Sequence, residues 1–174
     1  NTDCPLIIAG GPAVYVPGPV APFVDIFVIG DGEESVMDIL NLYKDKKKQI
    51  SKIDFLHKIK SNVEGAYIPF LEKRHYVKKR VLKDLDRFGI PEKPVVPVIE
   101  VVHDRIISEI MRGCPRLCRF CQAGIIYKPV RKRSKEKLLR DIINCVNNTG
   151  YNELSLSSLS STDYPDIHTL ASLL

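Results

Sequence analysis

The stretch RIISEIMRGCPRLCRFCQAG, residues Arg105 to Gly124, decides the fold. It opens as a strand-like apolar run and passes without a break into a loop that carries three of the chain's five cysteines within eight positions, set among Arg112, Arg116 and Arg119. A loop loaded in this way at the carboxyl end of a strand is where α/β barrels place their chemistry. Working downstream, Ser134 is a suitable N-cap for KEKLLRDIINCVNNTG and Gly150 a suitable stop. Leu138, Leu139, Ile142, Ile143 and Val146 then define an apolar face, with Cys145 beside it as a core thiol. NELSLSSLSS alternates apolar and polar residues as a second strand does, and its serine-rich end points to the same edge as the cysteines.

Three thiols at this spacing leave three readings open. Structural zinc normally takes four Cys or His ligands, and the candidate fourth ligand, His103, lies eleven residues before Cys114. A disulfide with one spare thiol suits small secreted domains, whereas 174 residues can bury a core without staples. An iron-sulfur cluster with one iron left open to a small molecule is the third. Nearby arginines favour the thiolate form that any of the metal readings needs.

The wider composition is that of a globular protein: 44% hydrophobic, 27% charged, net charge +5. The excess charge is concentrated in Lys73–Lys83 and Lys128–Arg140, where a solvated face, an anionic ligand and RNA are the alternatives. No aromatics interleave KPVRKRSKEK to favour single-stranded nucleic acid. Cys4 to Val24 runs for 21 residues without a charge, yet five prolines and three glycines exclude a membrane helix there. No signal peptide is evident, so a cytoplasmic protein with no membrane partner is expected. The chain starts without methionine and stops in IHTLASLL, which reads as an internal segment of a longer protein.

Upstream, PLIIAGG and Val24 to Ile29 read as buried strands, the second followed by a Gly-Asp-Gly turn and a helix from about Glu33 to Lys44. Glu33 and Glu34 suit the start of that helix. Alone, the turn reads either as an anion-binding βα loop or as a tight turn without a ligand. Residues 46–103 read as an interdomain linker, containing one short helix over Ile53–Ile59, a strand or extended piece at GAYIPFLE and a stiff segment with Pro91, Pro94 and Pro97.

Cys114, Cys118 and Cys121, spaced Cys-x3-Cys-x2-Cys with Phe120 before the last, resemble the signature of the radical S-adenosylmethionine (SAM) superfamily. The resemblance implies that these cysteines hold a 4Fe-4S cluster, that SAM chelates its open iron, and that Phe120 lies close to the adenine. No catalytic residue beyond the cluster ligands is implied. AGGP and VIGDGEE, followed by PVVPVIEVVHDR, the cysteine loop and LSLSSLSSTDY, are similar to an uncharacterised family of that class with a cobalamin-binding-type domain.

The architecture so implied is α/β: the end of a Rossmann-like cobalamin-binding-type domain over 1–45, the linker, then over 104–174 the first two βα units of a partial (βα)6 TIM-type barrel. By this resemblance Gly10 and Gly11 would line the nucleotide tail of cobalamin, whose axial-histidine motif would lie upstream. Ser157 and Ser158 would approach the methionine part of SAM in place of a Gly-Gly-Glu motif. The serines read equally as a cap for a helix that begins near Asp163. The implied function is reductive cleavage of SAM to a 5'-deoxyadenosyl radical acting on an unidentified substrate, with cobalamin-assisted methyl transfer as one outcome. RNA or protein modification is another outcome. A flavodoxin- or ferredoxin-type electron donor is implied as partner. A zinc-stapled or nucleic-acid-binding module is the non-catalytic alternative.

Overall fold

A computed structural model describes residues 5–44, 50–72, 76–99 and 101–174. Cys4, the charged run 45–49, and Lys73 and Arg74 of the first basic cluster lie outside the described residues. The chain forms two compact units, Asn1–Leu82 and Lys83–Leu174.

In the first unit, β1 (Ile8–Ala9) runs parallel to β2 (Ile26–Val28), in the register Ile8↔Ile26 and Ala9↔Phe27. All three β2 residues are buried, as a strand covered on both faces requires. Alternation sends Ile26 and Val28 to one side, into a core with Ile39, Phe55 and Ile59. Phe27 goes to the other side, against Val14 and Tyr67. The first group comes from α1 (Gly32–Lys44) and α2 (Lys52–Asn62), the latter capped by the Ser51 hydroxyl accepting from the Asp54 amide. The sheet's third strand, β3 (Ala66–Tyr67), pairs antiparallel with β2.

Residues 50–72 of the stretch read as a linker add a helix and a strand to the first unit. Phe55, Leu56, Ile59, Val63, Ala66 and Ile68 complete the first unit's core, and each fully buried side chain of this size stabilises the fold by about 1.5–3 kcal/mol. Of the stretch read as a linker, the surface-lying extended character holds around Pro91–Ile99, where Val95, Val98 and Ile99 are exposed.

In the second unit, β4 (Ile106–Glu109) pairs parallel with β7 (Leu154–Ser157), Glu109 standing opposite Ser157. The strand reading of Arg105–Gly113 is corrected at Ile110. There the backbone amide donates to Ser157 while the carbonyl accepts from Arg133. The chain then leaves the parallel pair, and β5 (Met111–Arg112) forms an antiparallel pair with β6 (Arg131–Lys132). Between them lies α3 (Ala123–Ile126).

Connecting β6 to β7, α4 (Lys135–Thr149) begins with the Ser134 hydroxyl accepting from the Lys137 amide and ends at Gly150 with φ 73°. Its buried line is Leu138, Ile142 and Cys145, at steps of four and three residues. Ile143 and Val146 are 56% and 41% exposed, a correction to the apolar face read from the sequence. With 100° between successive residues, Ile143 is turned off the line that faces the strands. A last short helix, α5 (Ile167–Ser172), buries Leu170.

Candidate functional site

Two close approaches position the cysteine loop. Gly113 has φ 94°, and a Cβ there would stand 2.7 Å from the Tyr127 carbonyl oxygen, so only glycine lets the loop leave β5 along this path. Gly124, in α3, lies so close to the loop that a Cβ would be 2.6 Å from the Arg116 carbonyl oxygen. Between these points the Cys121 amide donates to the Cys118 carbonyl at 3.0 Å, folding the last two cysteines into one turn. All three thiols are free: Cys114 is half-buried, Cys118 and Cys121 exposed. Phe120, which lies between Cys118 and Cys121 in the chain, is 92% exposed. Cys145, by contrast, is buried as a core thiol, and desolvation pushes its pKa up against a lowering hydrogen bond with Thr149.

Arg112 and Arg116, on either side of Cys114, have carboxylate partners. Glu109, at the end of β4, receives Arg112 Nε at 3.0 Å and Nη2 at 2.8 Å, and Arg133 Nη2 at 3.3 Å. Burial works against its ionisation, but hydrogen bonds and charge from Arg112, together with Arg133, outweigh it and hold the carboxyl below its usual range. Arg116 makes a two-pronged pair with Asp163, Nε to Oδ2 and Nη2 to Oδ1, both at 2.8 Å. The guanidinium also lies in the electrostatic field of Cys118 and Cys114. Asp163 is held below the usual carboxylate range by its hydrogen bonds from Arg116 and Ser160.

Within the second basic run, read as a solvated face, an anionic-ligand site or an RNA contact, Arg133 stands apart. It is buried, and its guanidinium donates to the backbone carbonyls of Leu85, Phe88 and Glu109. Its neutralisation would open the interior before it altered any surface. Lys137 is likewise paired, with Asp141 at 2.8 Å.

The serine segment forms a local turn. Ser158 Oγ stands 3.0 Å from Ser161 Oγ and accepts from the Ser160 amide, while Ser160 Oγ donates to Asp163 at 2.7 Å. Ser157 is exposed at the end of β7. Cys loop and serine turn are thus brought together, through Arg116 and Asp163. Sequence reasoning missed Asp163 and Glu109. Glu109 was signalled by its place at the strand end, but the partner of Asp163 lies 47 residues upstream.

The first unit's glycines divide. A Cβ on Gly30 would stand 2.1 Å from the Arg80 carbonyl oxygen, whereas Gly10 and Gly11 have nothing within 4 Å of that position. The Gly30–Gly32 turn is covered by its own chain: the Asp31 amide donates to Arg80 and the Asp31 carboxylate accepts from the Leu82 amide. Arg80 also pairs with Glu34 at 2.7 Å. The tight-turn reading therefore describes the loop at Gly30, while Gly10 and Gly11, like Gly18 and Gly32, have open space beside them.

Among the described residues no three His, Cys, Asp or Glu side chains converge on a single-ion site, and His103 is exposed. The loop nevertheless fits an iron-sulfur cluster by its donors: three free thiols, a soft all-sulfur set, presented outward beside a guanidinium. No helix among the described residues is long and apolar enough to cross a membrane.

Fold and loop together define a mixed α/β protein that lifts three thiols from the carboxyl end of a parallel strand pair. The family model described as Radical SAM proteins, N-terminal, matches residues 1–69, and the Radical SAM superfamily model matches residues 108–174. The chain belongs to the radical SAM superfamily. It is 31% identical to an uncharacterized protein of Methanocaldococcus jannaschii over all of this chain and 36% of that protein. It is 24% identical to the anaerobic magnesium-protoporphyrin IX monomethyl ester cyclase of Cereibacter sphaeroides over 75% of this chain and 21% of that protein. The chain spans only these fractions of the relatives' lengths.

Proposed function

We propose that this chain is the cluster-bearing part of a radical SAM enzyme, with Cys114, Cys118 and Cys121 as the ligands of a 4Fe-4S cluster. The observation that carries this reading is the set of three free thiols on the one loop that follows β5, two of them exposed. When bound and reduced, the cluster supplies the electron that cleaves SAM to a 5'-deoxyadenosyl radical. The chain's own residues bind and orient. Arg116 places a positive charge within the electrostatic field of Cys114 and Cys118. The exposed Phe120 ring offers a face to the adenine, and the Ser157 hydroxyl a polar contact at the rim. Ser158, whose hydroxyl is engaged within the turn, shapes that rim.

In this reading residues 104–174 are the first two βα units of a partial barrel, and the first unit is of the cobalamin-binding Rossmann-like type. Gly10 and Gly11 line its cofactor, and the open space beside them supports that placement. Methyl transfer to an unreactive carbon is the reaction that such a cobalamin would serve, with a flavodoxin- or ferredoxin-type protein as electron donor.

Anaerobic reconstitution with iron and sulfide, followed by electron paramagnetic resonance with and without SAM, tests this. The expected result is a reduced-cluster signal that changes on adding SAM and is lost in Cys118→Ala. A colourless protein that binds one zinc per chain overturns the reading.

A further inference from the structure

Arg116 lies between Cys114 and Cys118 in the chain, and its side chain reaches across to Asp163 beyond the end of β7. We propose that Asp163 is a positioning residue for the cysteine loop, which it locks through Arg116 to the serine turn after β7. The proposal rests on the reading of the three cysteines as cluster ligands only for its consequence on iron binding.

Ion pairs at a surface commonly contribute little, because two long side chains must be ordered against water and salt. This pair differs in three respects. Two guanidinium nitrogens, Nε and Nη2, each meet one carboxylate oxygen at 2.8 Å, the fork geometry that fixes direction as well as distance. The carboxylate is itself oriented by Ser160 Oγ at 2.7 Å, within a turn closed by Ser158 and Ser161. The backbone of Arg116 is itself closely approached by Gly124. The loop is thus held at its centre through both backbone and side chain, which lowers what the pair must order.

Groups that orient metal ligands from behind typically change metal affinity or activity about 10- to 100-fold when removed. Asp163 therefore keeps the thiols at a fixed distance from the rim serines and keeps a cation beside two of them. Its effect is to preorganise the loop before any cofactor arrives.

The test uses the full-length protein with Asp163→Asn, Arg116→Gln, and the exchanged pair Arg116→Asp with Asp163→Arg. In iron-free protein, hydrogen exchange of residues 113–122 is expected to accelerate about tenfold in each single variant. It should return toward the wild-type rate in the exchanged pair, with α4 unchanged in all three. Loop exchange unaltered in Asp163→Asn, or an exchanged pair as fast as the single variants, overturns the latch. After reconstitution, iron loss to a chelator is expected to be about tenfold faster in Asp163→Asn, and an unchanged rate overturns the role in cluster retention. A wild-type protein that takes up no cluster overturns the proposed function instead, while the iron-free exchange still decides the latch.

Discussion

Gly30 and Gly113 both stand just beyond a strand and both adopt positive φ, 109° and 94°, yet the loops they open are put to opposite uses. After Gly30 the chain closes on itself, with Arg80 and Leu82 meeting the turn's amide and carboxylate groups. After Gly113 the chain packs its backbone against residues 127–130 and leaves Cys118 and Cys121 in solvent. The difference teaches that a glycine at a strand end marks only a path the backbone must take. What comes to lie over that path decides whether the loop is structure or site.

Thiol chemistry gives the largest contrast with which to break this comparison. In iron-free protein, Cys118 and Cys121 should alkylate readily while Cys145 reacts at least about a hundredfold more slowly, because it must wait for local opening. Mass spectrometry of partly labelled protein reads this directly, and early labelling of Cys145 would show that α4 is not the rigid backing described. Next in size, Gly30→Val forces a side chain into the Arg80 backbone at a strained φ and should cost about 4 kcal/mol or more in urea unfolding. Gly10→Ala, with open space around it, should stay within about 0.5 kcal/mol.

Within the second unit, Leu138→Ala should cost about 2–5 kcal/mol, and Ile143→Ala far less, since the helix turns Ile143 outward. Equal losses would restore the apolar face read from the sequence. The smallest effect is expected from Glu109. Its carboxyl is held below the usual glutamate range, so the folded state favours the ionised form. That stabilisation is present above the unfolded pKa of about 4.3 and is lost as pH falls through the folded value. Glu109→Gln should flatten the acid limb of the stability curve by under about 1 kcal/mol, given the solvent screening of a partly exposed pair. Stability measured from pH 7 to pH 3 checks this.

Local signals in the sequence were enough for α1, for α4 with its Ser134 and Gly150 caps, and for the parallel partnership of β4 with β7 in outline. Each depends on periodicity or on a cap within a few residues. The antiparallel β3 and the Arg80 closure depend on pairings that no local pattern announces. Arg133 shows the same limit: within RKRS it is chemically like its neighbours, and only the carbonyls of Leu85 and Phe88 distinguish it. The three cysteines were conspicuous by spacing alone. Asp163 was not, because an aspartate beside serines looks like an ordinary helix cap until Arg116 is seen to reach it.

Arg133 also sets an order of events during synthesis. The carbonyls of Leu85 and Phe88 leave the ribosome 48 and 45 residues ahead of the guanidinium that pairs with them. Tyr164, whose hydroxyl donates to the Arg133 carbonyl, follows 31 residues later still. The Leu85–Phe88 stretch therefore emerges before its partners, its bonds to Arg133 can form only once residue 133 has cleared the exit tunnel, and that of Tyr164 only after residue 164 has done so.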